Sequence, residues 1–557
     1  MLSTLAVLVN LLLAHGAIAV PAVKEARQAG RCTNDVLRGA LPAGAGASVE
    51  RFSYVSAGGS FVEPLSLNPS YGNGANLPAL CAAIIKVTAG DSSYRFGIFL
   101  PDAWNSNFIG VGSYAQAGGI NWGDMSFAVK YGMATVSTDT GHISKPDNLT
   151  WGAGQRPGAL DDWGYRAVNG SIHIGKALTK AFYPSKPLAK SYWSGCSTGG
   201  RQGLKQIQIS PLSLDGVLIG APAWDTKHLF PWIAKLGTYN ITGDGRLLAS
   251  HVQAIKQAVL TQCDALDDPG KVTDRIISDP ENCKPDLTRI QCPAGTSRPN
   301  CLTPAQITTA TNIYSPYILN GRQVHPGLYP GSEPEWPTFM SPDATRDFDL
   351  AYFKHWLYPN DTRFNDYNYF LSNETGVVGD SERLNRGLAT ADDFNIDAFK
   401  RNQGKIIMYH GTADGTVPSR SSREYYTATE AALGGAGQAN MDSFFRLFYI
   451  PGMGHCSPSA LEQFSDAPWM IAGAGQNMWT GPTGYSVPLH ERDPNYDALA
   501  AVMNWVQNGT APNKIIATAY RNNAEGRQRP LCPWPKRAVF DTGSGANREK
   551  APGWNCS

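Results

Sequence analysis

The 557-residue sequence has almost no net charge of either sign. Lys and Arg number 47 against 46 Asp and Glu, and charged residues make up only 17% of the chain. This balance gives no electrostatic reason to expect nucleic acid or an anionic membrane as a partner. The sequence also lacks internal repeats and low-complexity tracts. What remains is the composition of an ordinary globular protein with many loops.

Long apolar runs are absent beyond the N-terminus. Residues 1–19 carry the apolar run and end in Ala17-Ile18-Ala19, which fits a signal-peptidase cleavage pattern. The run is too short to span a bilayer, although no Lys or Arg precedes it. We therefore predict a signal peptide at residues 1–19 and a secreted protein. Six glycosylation sequons agree with a secretory route and begin at Asn148, Asn169, Asn240, Asn360, Asn373 and Asn508.

Zinc-like cysteine spacings are also missing. The ten cysteines all follow the predicted signal peptide. An even number of cysteines in a secreted chain favours five disulfides over metal sites.

The stretch Gly195-Cys196-Ser197-Thr198-Gly199 fits the G-x-S-x-G pattern of a nucleophile elbow. A serine nucleophile of this kind stands on a sharp strand-to-helix turn, where side chains two residues away on either side would clash. A glycine-rich turn with an incidental serine is the alternative. We take Ser197 as the candidate nucleophile.

Two later strands end in loops that carry an acid and a base. The apolar segment 405–410 precedes Asp414, and segment 445–450 precedes His455. In α/β-hydrolases the catalytic residues follow in the chain order Ser, Asp, His, each on a loop after a strand. Asp414 and His455 meet both conditions. His410 is the nearest rival base, but it lies at a strand end before the acid, and a packed, hydrogen-bonded role is expected for it.

Cysteines flank both the candidate nucleophile and the candidate base. Cys196 directly precedes Ser197, and Cys456 directly follows His455. If Ser197 and His455 touch, the two cysteines come near the Cα separation of about 4.4–6.8 Å that a disulfide requires. Two independent local motifs therefore predict the same contact.

A loop of small residues, 112–119, follows the strand at 108–111. In α/β-hydrolases a loop at this position supplies one backbone N–H of the oxyanion hole. We predict that the hole is formed by the N–H groups of Thr198 and Tyr114. An ordinary flexible turn is the alternative.

Strands alternate with helices on both sides of a central segment in which strand signals fade. This pattern predicts an α/β fold with a mostly parallel sheet. The predicted organisation is an α/β-hydrolase core with a large inserted lid domain: signal peptide 1–19, first part of the core 20–224, lid 225–395 and second part of the core 396–557.

Cys196-Ser197, Asp414 and His455-Cys456 resemble the CS-D-HC motif of the fungal tannase and feruloyl esterase family. The resemblance spans most of the mature chain. It implies an α/β-hydrolase core, a lid that carries part of the substrate pocket, and a disulfide between the two triad neighbours. Thr198 makes the chain more similar to the feruloyl esterase members, since tannases more often have an acidic residue there. Relatives usually have a run of glycines where this chain has Gly112-Ser-Tyr114-Ala.

Beside the Cys196–Cys456 pair we predict four further disulfides: Cys32–Cys81, Cys263–Cys283, Cys292–Cys301 and Cys532–Cys556. The resemblance also implies a structural calcium ion in the lid. Its ligands would be the side chains of Asp264, Asp267 and Asp274 and the carbonyls of Val272 and Ile276. From the spacing alone, a solvated acidic turn is the alternative, and this chain has extra residues around Pro269-Gly270.

Together these features predict a secreted serine esterase that hydrolyses hydroxycinnamate esters of plant cell-wall carbohydrate through an acyl-enzyme. The expected partners are small phenolic esters or feruloylated polysaccharide, with calcium as the only cofactor and no organic one. A tannase that cleaves galloyl esters is the first alternative. A catalytically inactive, secreted binding protein on the same fold is the second.

Overall fold

The structure, a computed structural model, describes most of the chain after the predicted signal peptide. The described residues are 30–154, 158–240, 244–266, 273–296, 298–337, 350–359, 361–435, 437–456, 492–521 and 524–557. The predicted signal peptide and two of the predicted calcium ligands, Asp267 and Val272, lie outside this part.

Fifteen strands are found in the described residues. Their bounds are β1 Ala47–Val55, β2 Leu80–Ala89, β3 Ser92–Pro101, β4 Asn107–Val111, β5 Ala134–Thr138, β6 Lys190–Cys196, β7 Gly216–Gly220, β8 Tyr317–Leu319, β9 Arg322–His325, β10 Lys405–Gly411, β11 Phe445–Ile450, β12 Ile515–Arg521, β13 Ala524–Leu531, β14 Ala538–Phe540 and β15 Trp554–Cys556.

Nine of these strands form one large sheet in the order β1-β2-β3-β5-β4-β6-β7-β10-β11. The pairings β1–β2, β2–β3 and β3–β5 are antiparallel. All five pairings from β5 to β11 are parallel. The predicted mostly parallel sheet is therefore confirmed, with its antiparallel part confined to one edge.

Both faces of the parallel region are covered, as parallel sheets require. Along β10, Ile406 and Met408 pack into one hydrophobic cluster, whereas Ile407 and Tyr409 pack into the cluster on the opposite face. The strand therefore has a continuous apolar sequence, and this is why it could be predicted without an alternating pattern.

Thirteen α-helices are found in the described residues. Their bounds are α1 Asn34–Ala40, α2 Trp122–Ala128, α3 Ala159–Asp161, α4 Ala167–Phe182, α5 Thr198–Ile209, α6 Thr226–Asn240, α7 Ala249–Cys263, α8 Pro304–Tyr314, α9 Tyr367–Leu384, α10 Asp397–Arg401, α11 Arg420–Ala432, α12 Gln438–Asp442 and α13 Ala498–Asn508. The short helices α3, α10 and α12 are no more than five residues long.

The segment between β7 and β10 packs largely on itself. None of its described residues joins the large sheet, and β8 and β9 pair only with each other. Trp232, Val259 and Ile313 belong to one of its hydrophobic clusters, and Phe230 and Phe370 belong to another. This is the segment predicted as the lid; its boundaries at residues 225 and 395 stay a prediction.

A buried arginine fastens this segment to the core. Arg201 lies on α5 and is fully buried, and it donates hydrogen bonds to the carbonyl oxygens of Gly164 and Ala389. Its guanidinium stacks on the Trp163 ring at 4.2 Å from the centroid. The inserted segment is thus tied to the helix that begins beside Ser197.

All five predicted disulfides form: Cys32–Cys81, Cys196–Cys456, Cys263–Cys283, Cys292–Cys301 and Cys532–Cys556. Among the described residues, no helix is long and apolar enough to cross a membrane.

Candidate active site

Ser197 occupies the turn between β6 and α5. Its backbone has φ 60° and ψ −122°, a conformation that L-residues other than glycine rarely adopt. The turn is fixed from both sides, because the Ser197 N–H donates to the Gly220 carbonyl at 3.0 Å and the Ser197 carbonyl accepts from the Arg201 N–H at 3.0 Å. Strain held in this way is typical of functional sites.

The glycines around Ser197 are required by close backbone contacts. A Cβ at Gly195 would overlap the carbonyl oxygen of Gly199. A Cβ at Gly199 would lie 2.8 Å from the Ser113 carbonyl oxygen, and one at Gly112 would lie 2.5 Å from the Gly199 Cα. The glycine spacing that pointed to Ser197 therefore has the steric cause expected of a nucleophile elbow.

Asp414 follows β10 and is almost fully buried, with 1% of its surface exposed. One carboxylate oxygen accepts the N–H groups of Thr416 and Val417, each at 2.8 Å. The other faces His455 Nδ1 at 2.7 Å and His410 Nε2 at 3.0 Å. Burial alone would raise the pKa of this carboxyl, but the attraction of His455 and the hydrogen bonds from both histidines hold it well below its usual range.

His455 follows β11 and is the partner of Asp414 that reaches the surface of the site. Its side chain is 19% exposed, whereas that of Asp414 is completely covered. Burial disfavours the charged imidazolium, but the Asp414 carboxylate outweighs burial, so the pKa of His455 is raised above its ordinary value. An imidazole with Nδ1 directed at a carboxylate and with raised basicity is suited to act as a general base.

His410 has the packed role expected for it. It is fully buried, and its Nε2 lies 3.0 Å from both Asp414 Oδ2 and the Val417 carbonyl oxygen. Because both neighbours are acceptors, we assign the ring proton to Nε2, which leaves Nδ1 to accept from the Ser422 hydroxyl at 2.7 Å. His410 therefore orients Asp414 and has no exposed nitrogen of its own.

The Cys196–Cys456 bond joins the nucleophile loop to the base loop. The two Cα atoms lie 5.9 Å apart, within the range that a disulfide requires, across 260 positions of chain. Since adjacent Cα atoms are about 3.8 Å apart, the Cα atoms of Ser197 and His455 lie within about 14 Å of each other. The structure thus places Asp414 in contact with His455 and links the Ser197 loop covalently to the His455 loop, while the Ser197–His455 hydrogen bond stays a prediction.

The loop after β4 packs against the start of α5. Gln202 holds it with two hydrogen bonds: its Oε1 accepts from the Ser113 N–H at 3.0 Å, and its Nε2 donates to the Ser113 hydroxyl at 2.7 Å. No motif marked Gln202, which lies one helical turn beyond the elbow.

The two predicted oxyanion donors differ in their surroundings. Thr198 is the first residue of α5, so its N–H has no partner within the helix. The N–H of Tyr114 instead donates to the Tyr71 hydroxyl at 3.2 Å, and the two rings meet edge to face with centroids 4.5 Å apart. The Tyr114 N–H is therefore already engaged, and its oxyanion role stays a prediction.

Glu335, from the inserted segment, contacts both catalytic loops and was not identified from the sequence. Its two carboxylate oxygens accept the His455 N–H at 3.0 and 3.1 Å, and Oε2 also accepts the Gly415 N–H at 2.9 Å. Burial and the nearby Asp414 carboxylate raise the pKa of Glu335 to about 7. Its sequence context, a Pro- and Glu-rich turn 120 residues before His455, contains no catalytic pattern.

Only part of the predicted calcium site lies in the described chain. Asp264 accepts the N–H groups of Asp274 and Arg275 at 3.2 and 2.9 Å, and Asp274 accepts the Ile276 N–H at 3.1 Å. Burial, and then the Asp274 carboxylate, raise the pKa of Asp264. A cation between the two carboxylates would relieve their mutual repulsion.

Arg529 already supplies one counter-charge there, at 2.8 Å from Asp274 Oδ2. Within the described residues, no group of three or more metal-binding side chains converges. Asp264 and Asp274 are neighbouring carboxylates, whose oxygens suit calcium, but hydrogen-bond donors already engage both, and the whole ligand set stays a prediction.

A cavity of about 440 Å³ lies beside the end of β11. Aromatic and charged side chains line it, including Tyr329, Tyr449, Arg529 and Trp554, but Ser197, Asp414 and His455 do not. Hydrogen-bond geometry, and not the volume of this cavity, locates the candidate active site.

The strand order, the elbow serine and the Asp–His pair at the carboxyl ends of parallel strands define an α/β-hydrolase. The comparisons with known proteins then identify the group within this class. The chain matches the family described as "Tannase and feruloyl esterase" over residues 81–349 and 375–552, and it belongs to that family. It is a carboxylic ester hydrolase, as predicted.

Relatives in this family include probable feruloyl esterases from Aspergillus. "Probable feruloyl esterase B-1" of Aspergillus oryzae is 31% identical over 529 residues, which covers 92% of this chain and 90% of the relative. The protein of the same description from Aspergillus fumigatus is 31% identical over 484 residues, with 86% and 85% coverage.

Solved structures agree with the sequence comparison. The crystal structure of feruloyl esterase B from Aspergillus oryzae matches with a TM-score of 0.81 at 27% identity, covering 95% of this chain and 100% of that one. Tannin acyl hydrolase from Aspergillus niger shares the fold, with a TM-score of 0.69 at 21% identity and 94% and 95% coverage.

The disulfide beside the triad generates a prediction. Replacing both Cys196 and Cys456 by alanine should lower kcat by about 10²-fold at temperatures where the variant remains folded, because a loop displacement of about 1 Å costs about that much in rate. Stability should fall too, by as much as about 4–5 kcal/mol in the loop-entropy model. Esterase kinetics and thermal melts measure the two effects separately.

The matched control removes Cys292 and Cys301, which close a loop of the inserted segment and are separated by only 9 positions. This double variant should retain the wild-type kcat. Full activity in the Cys196/Cys456 variant would contradict the proposed role of this disulfide. Mass mapping that finds either cysteine free would contradict it too.

Proposed function

We propose that this esterase cleaves hydroxycinnamate esters, of the feruloyl type, on plant cell-wall carbohydrate through a serine acyl-enzyme. The observation that carries the proposal is the strained Ser197 elbow, covalently linked through Cys196–Cys456 to a loop whose His455 faces Asp414 at 2.7 Å. The feruloyl esterase names of the relatives support the acyl group.

In the proposed reaction His455 accepts the Ser197 hydroxyl proton at Nε2, because its Nδ1 is occupied by Asp414. The serine oxygen then attacks the ester carbonyl, and the imidazolium is stabilised by the buried Asp414 carboxylate. The developing oxyanion is held by the Thr198 N–H at the start of α5. The Tyr114 N–H, predicted as the second donor, would have to exchange the Tyr71 hydroxyl for the oxyanion.

Collapse of the tetrahedral intermediate expels the alcohol, which takes the proton from His455. Water then attacks the acyl-enzyme and gives a proton to His455, which passes it to the Ser197 oxygen as the carboxylic acid leaves. Each step uses the same proton carrier, so the position of the His455 loop matters to both halves of the reaction.

The proposal includes secretion by way of the signal peptide at residues 1–19. Support comes from the five disulfides, which are typical of chains folded in an oxidising compartment. Of the predicted glycosylation sites, Asn148, Asn373 and Asn508 have exposed side chains and are accessible to modification.

The proposal also includes a structural calcium ion held by Asp264 and Asp274, with Asp267 and the carbonyls of Val272 and Ile276 as further ligands. Calcium accepts irregular sets of oxygen ligands and would supply only structural cross-linking here. Cys263–Cys283 closes the same part of the chain, so the ion would reinforce a segment that is already covalently joined.

The first prediction of this proposal concerns the nucleophile. Ser197→Ala should lower kcat by about 10⁴–10⁶-fold with unchanged folding, and Asp414→Asn by about 10⁴-fold. Phenylmethylsulfonyl fluoride should inactivate the wild type and add one label, mapped to Ser197 by mass spectrometry. A wild type that stays active and unlabelled would exclude the serine mechanism.

A second prediction concerns the acyl group. With methyl ferulate, caffeate, p-coumarate, sinapate and gallate as substrates, the hydroxycinnamates should give higher kcat/KM than gallate. Thr198 is the basis, since it stands where the family's tannases more often have an acidic residue. Ser197→Ala measured on every ester is the control for background hydrolysis, and a preference for gallate would favour the tannase alternative.

Chelation tests the calcium proposal. Excess EDTA should lower the melting temperature while leaving kcat at moderate temperature nearly unchanged, because a ligand bound only to the native state stabilises it, by about 2.7 kcal/mol at a hundredfold excess over Kd. Added calcium should restore the melting temperature. Asp264→Asn should have a lower melting temperature than the wild type, and EDTA should not lower it further. No bound metal by elemental analysis together with an EDTA-insensitive melt would exclude the site.

A further inference from the structure

A carboxylate from the inserted segment lies at the junction of the two catalytic loops. Glu335 ends a short 3-10 helix, Glu333–Glu335, and is followed by Trp336, which is fully buried in the segment's own hydrophobic cluster. The Trp336 ring packs against Tyr314, with centroids 5.1 Å apart. The turn that presents Glu335 is therefore anchored in the packed interior of the insert.

The Glu335 carboxylate accepts two backbone N–H groups: that of His455, shared between both oxygens, and that of Gly415, the residue after Asp414. Gly454 permits this approach, since a Cβ there would overlap Glu335 Oε1, and a Cβ at Gly415 would lie 2.7 Å from Glu335 Cβ. Glycine thus stands where the carboxylate meets each loop, which gives the contact a steric requirement on both sides.

We infer that Glu335 is a positioning residue for the esterase: it fixes the Asp414 and His455 loops relative to each other, and its negative charge makes His455 a stronger base. This inference rests on the proposed role of His455. It assigns to the inserted segment a direct part in the catalytic geometry, in addition to any role in covering the substrate.

The charges around the pair determine how it responds to pH. Within the described residues, Glu335 faces Asp414 and His455, while His410 contacts Asp414 from the other side. Both Asp414 and Glu335 favour the charged imidazolium. A general base must be neutral, so activity should fall as the pH falls through the raised pKa of His455.

On a plot of log kcat/KM against pH, the acid limb is the part where activity falls with falling pH. It should report the protonation of His455, coupled to that of Glu335 beside it.

The test compares kcat/KM across pH for the wild type, Glu335→Gln and Glu335→Asp with methyl ferulate. In Glu335→Gln the lost charge lowers the pKa of His455, so the acid limb should move to lower pH by about half to one unit. The amide has one acceptor oxygen where the carboxylate has two, and its NH2 group would face a backbone N–H, so the plateau kcat should fall by about tenfold.

Glu335→Asp keeps the charge but shortens the side chain by one methylene. It should lower kcat while leaving the acid limb where it is in the wild type. This variant also keeps the inference testable if Glu335→Gln does not fold, because a shifted limb in Glu335→Asp would contradict it.

Glu333→Gln is the matched control. Glu333 lies on the same short helix but accepts from the Tyr314 hydroxyl and the Gly331 N–H, away from the catalytic loops. This variant should lower the melting temperature without moving the acid limb. A Glu335→Gln profile that superimposes on the wild type after scaling, or an equal shift in Glu333→Gln, would overturn the inference.

Ser197→Ala separates this inference from the function on which it rests. If Ser197→Ala retained full hydrolysis, the proposed triad itself would be wrong. If Ser197→Ala were inactive and the acid limb of the Glu335→Gln profile did not move, only the inferred role of Glu335 would be wrong.

Discussion

The covalent bond between Cys196 and Cys456 is the constraint on which the geometry of the site depends. Two strands, β7 and β10, separate β6 from β11 in the sheet, so the loops that carry Ser197 and His455 must reach over them to meet. The disulfide joins the loops immediately beside both residues. It therefore resists separation of the nucleophile from the base, and a misplacement of about 1 Å in such a site can cost about 10²-fold in rate.

The site is built from the core and the insert together. The core supplies the elbow and the Asp–His pair, while Glu335 comes from the insert and accepts hydrogen bonds from both catalytic loops. Arg201 binds the insert back to the first turn of α5 through the Ala389 carbonyl. Because these contacts hold the same elements from two directions, folding of the insert and organisation of the triad are physically coupled.

Electrostatics separates the roles of two carboxylates that lie close to one imidazole. Asp414 is held ionised by the attraction of His455 and by its hydrogen bonds, whereas the pKa of Glu335 is raised by burial and by Asp414 itself. Two titratable groups whose pKa values are pushed apart can take different tasks in one site. Asp414 stabilises the imidazolium, and Glu335 adjusts how easily it forms.

The sequence by itself identified Ser197, Asp414 and His455 as the candidate triad, because nucleophile elbows and strand-end loops are local patterns with local steric causes. It also determined the sheet class and the disulfide partners. Only the tertiary structure revealed Glu335, which meets His455 across 120 positions of chain, and the engagement of the Tyr114 N–H by Tyr71. Such contacts depend on how distant segments pack, and packing between distant segments leaves no periodic or spaced signal in the chain.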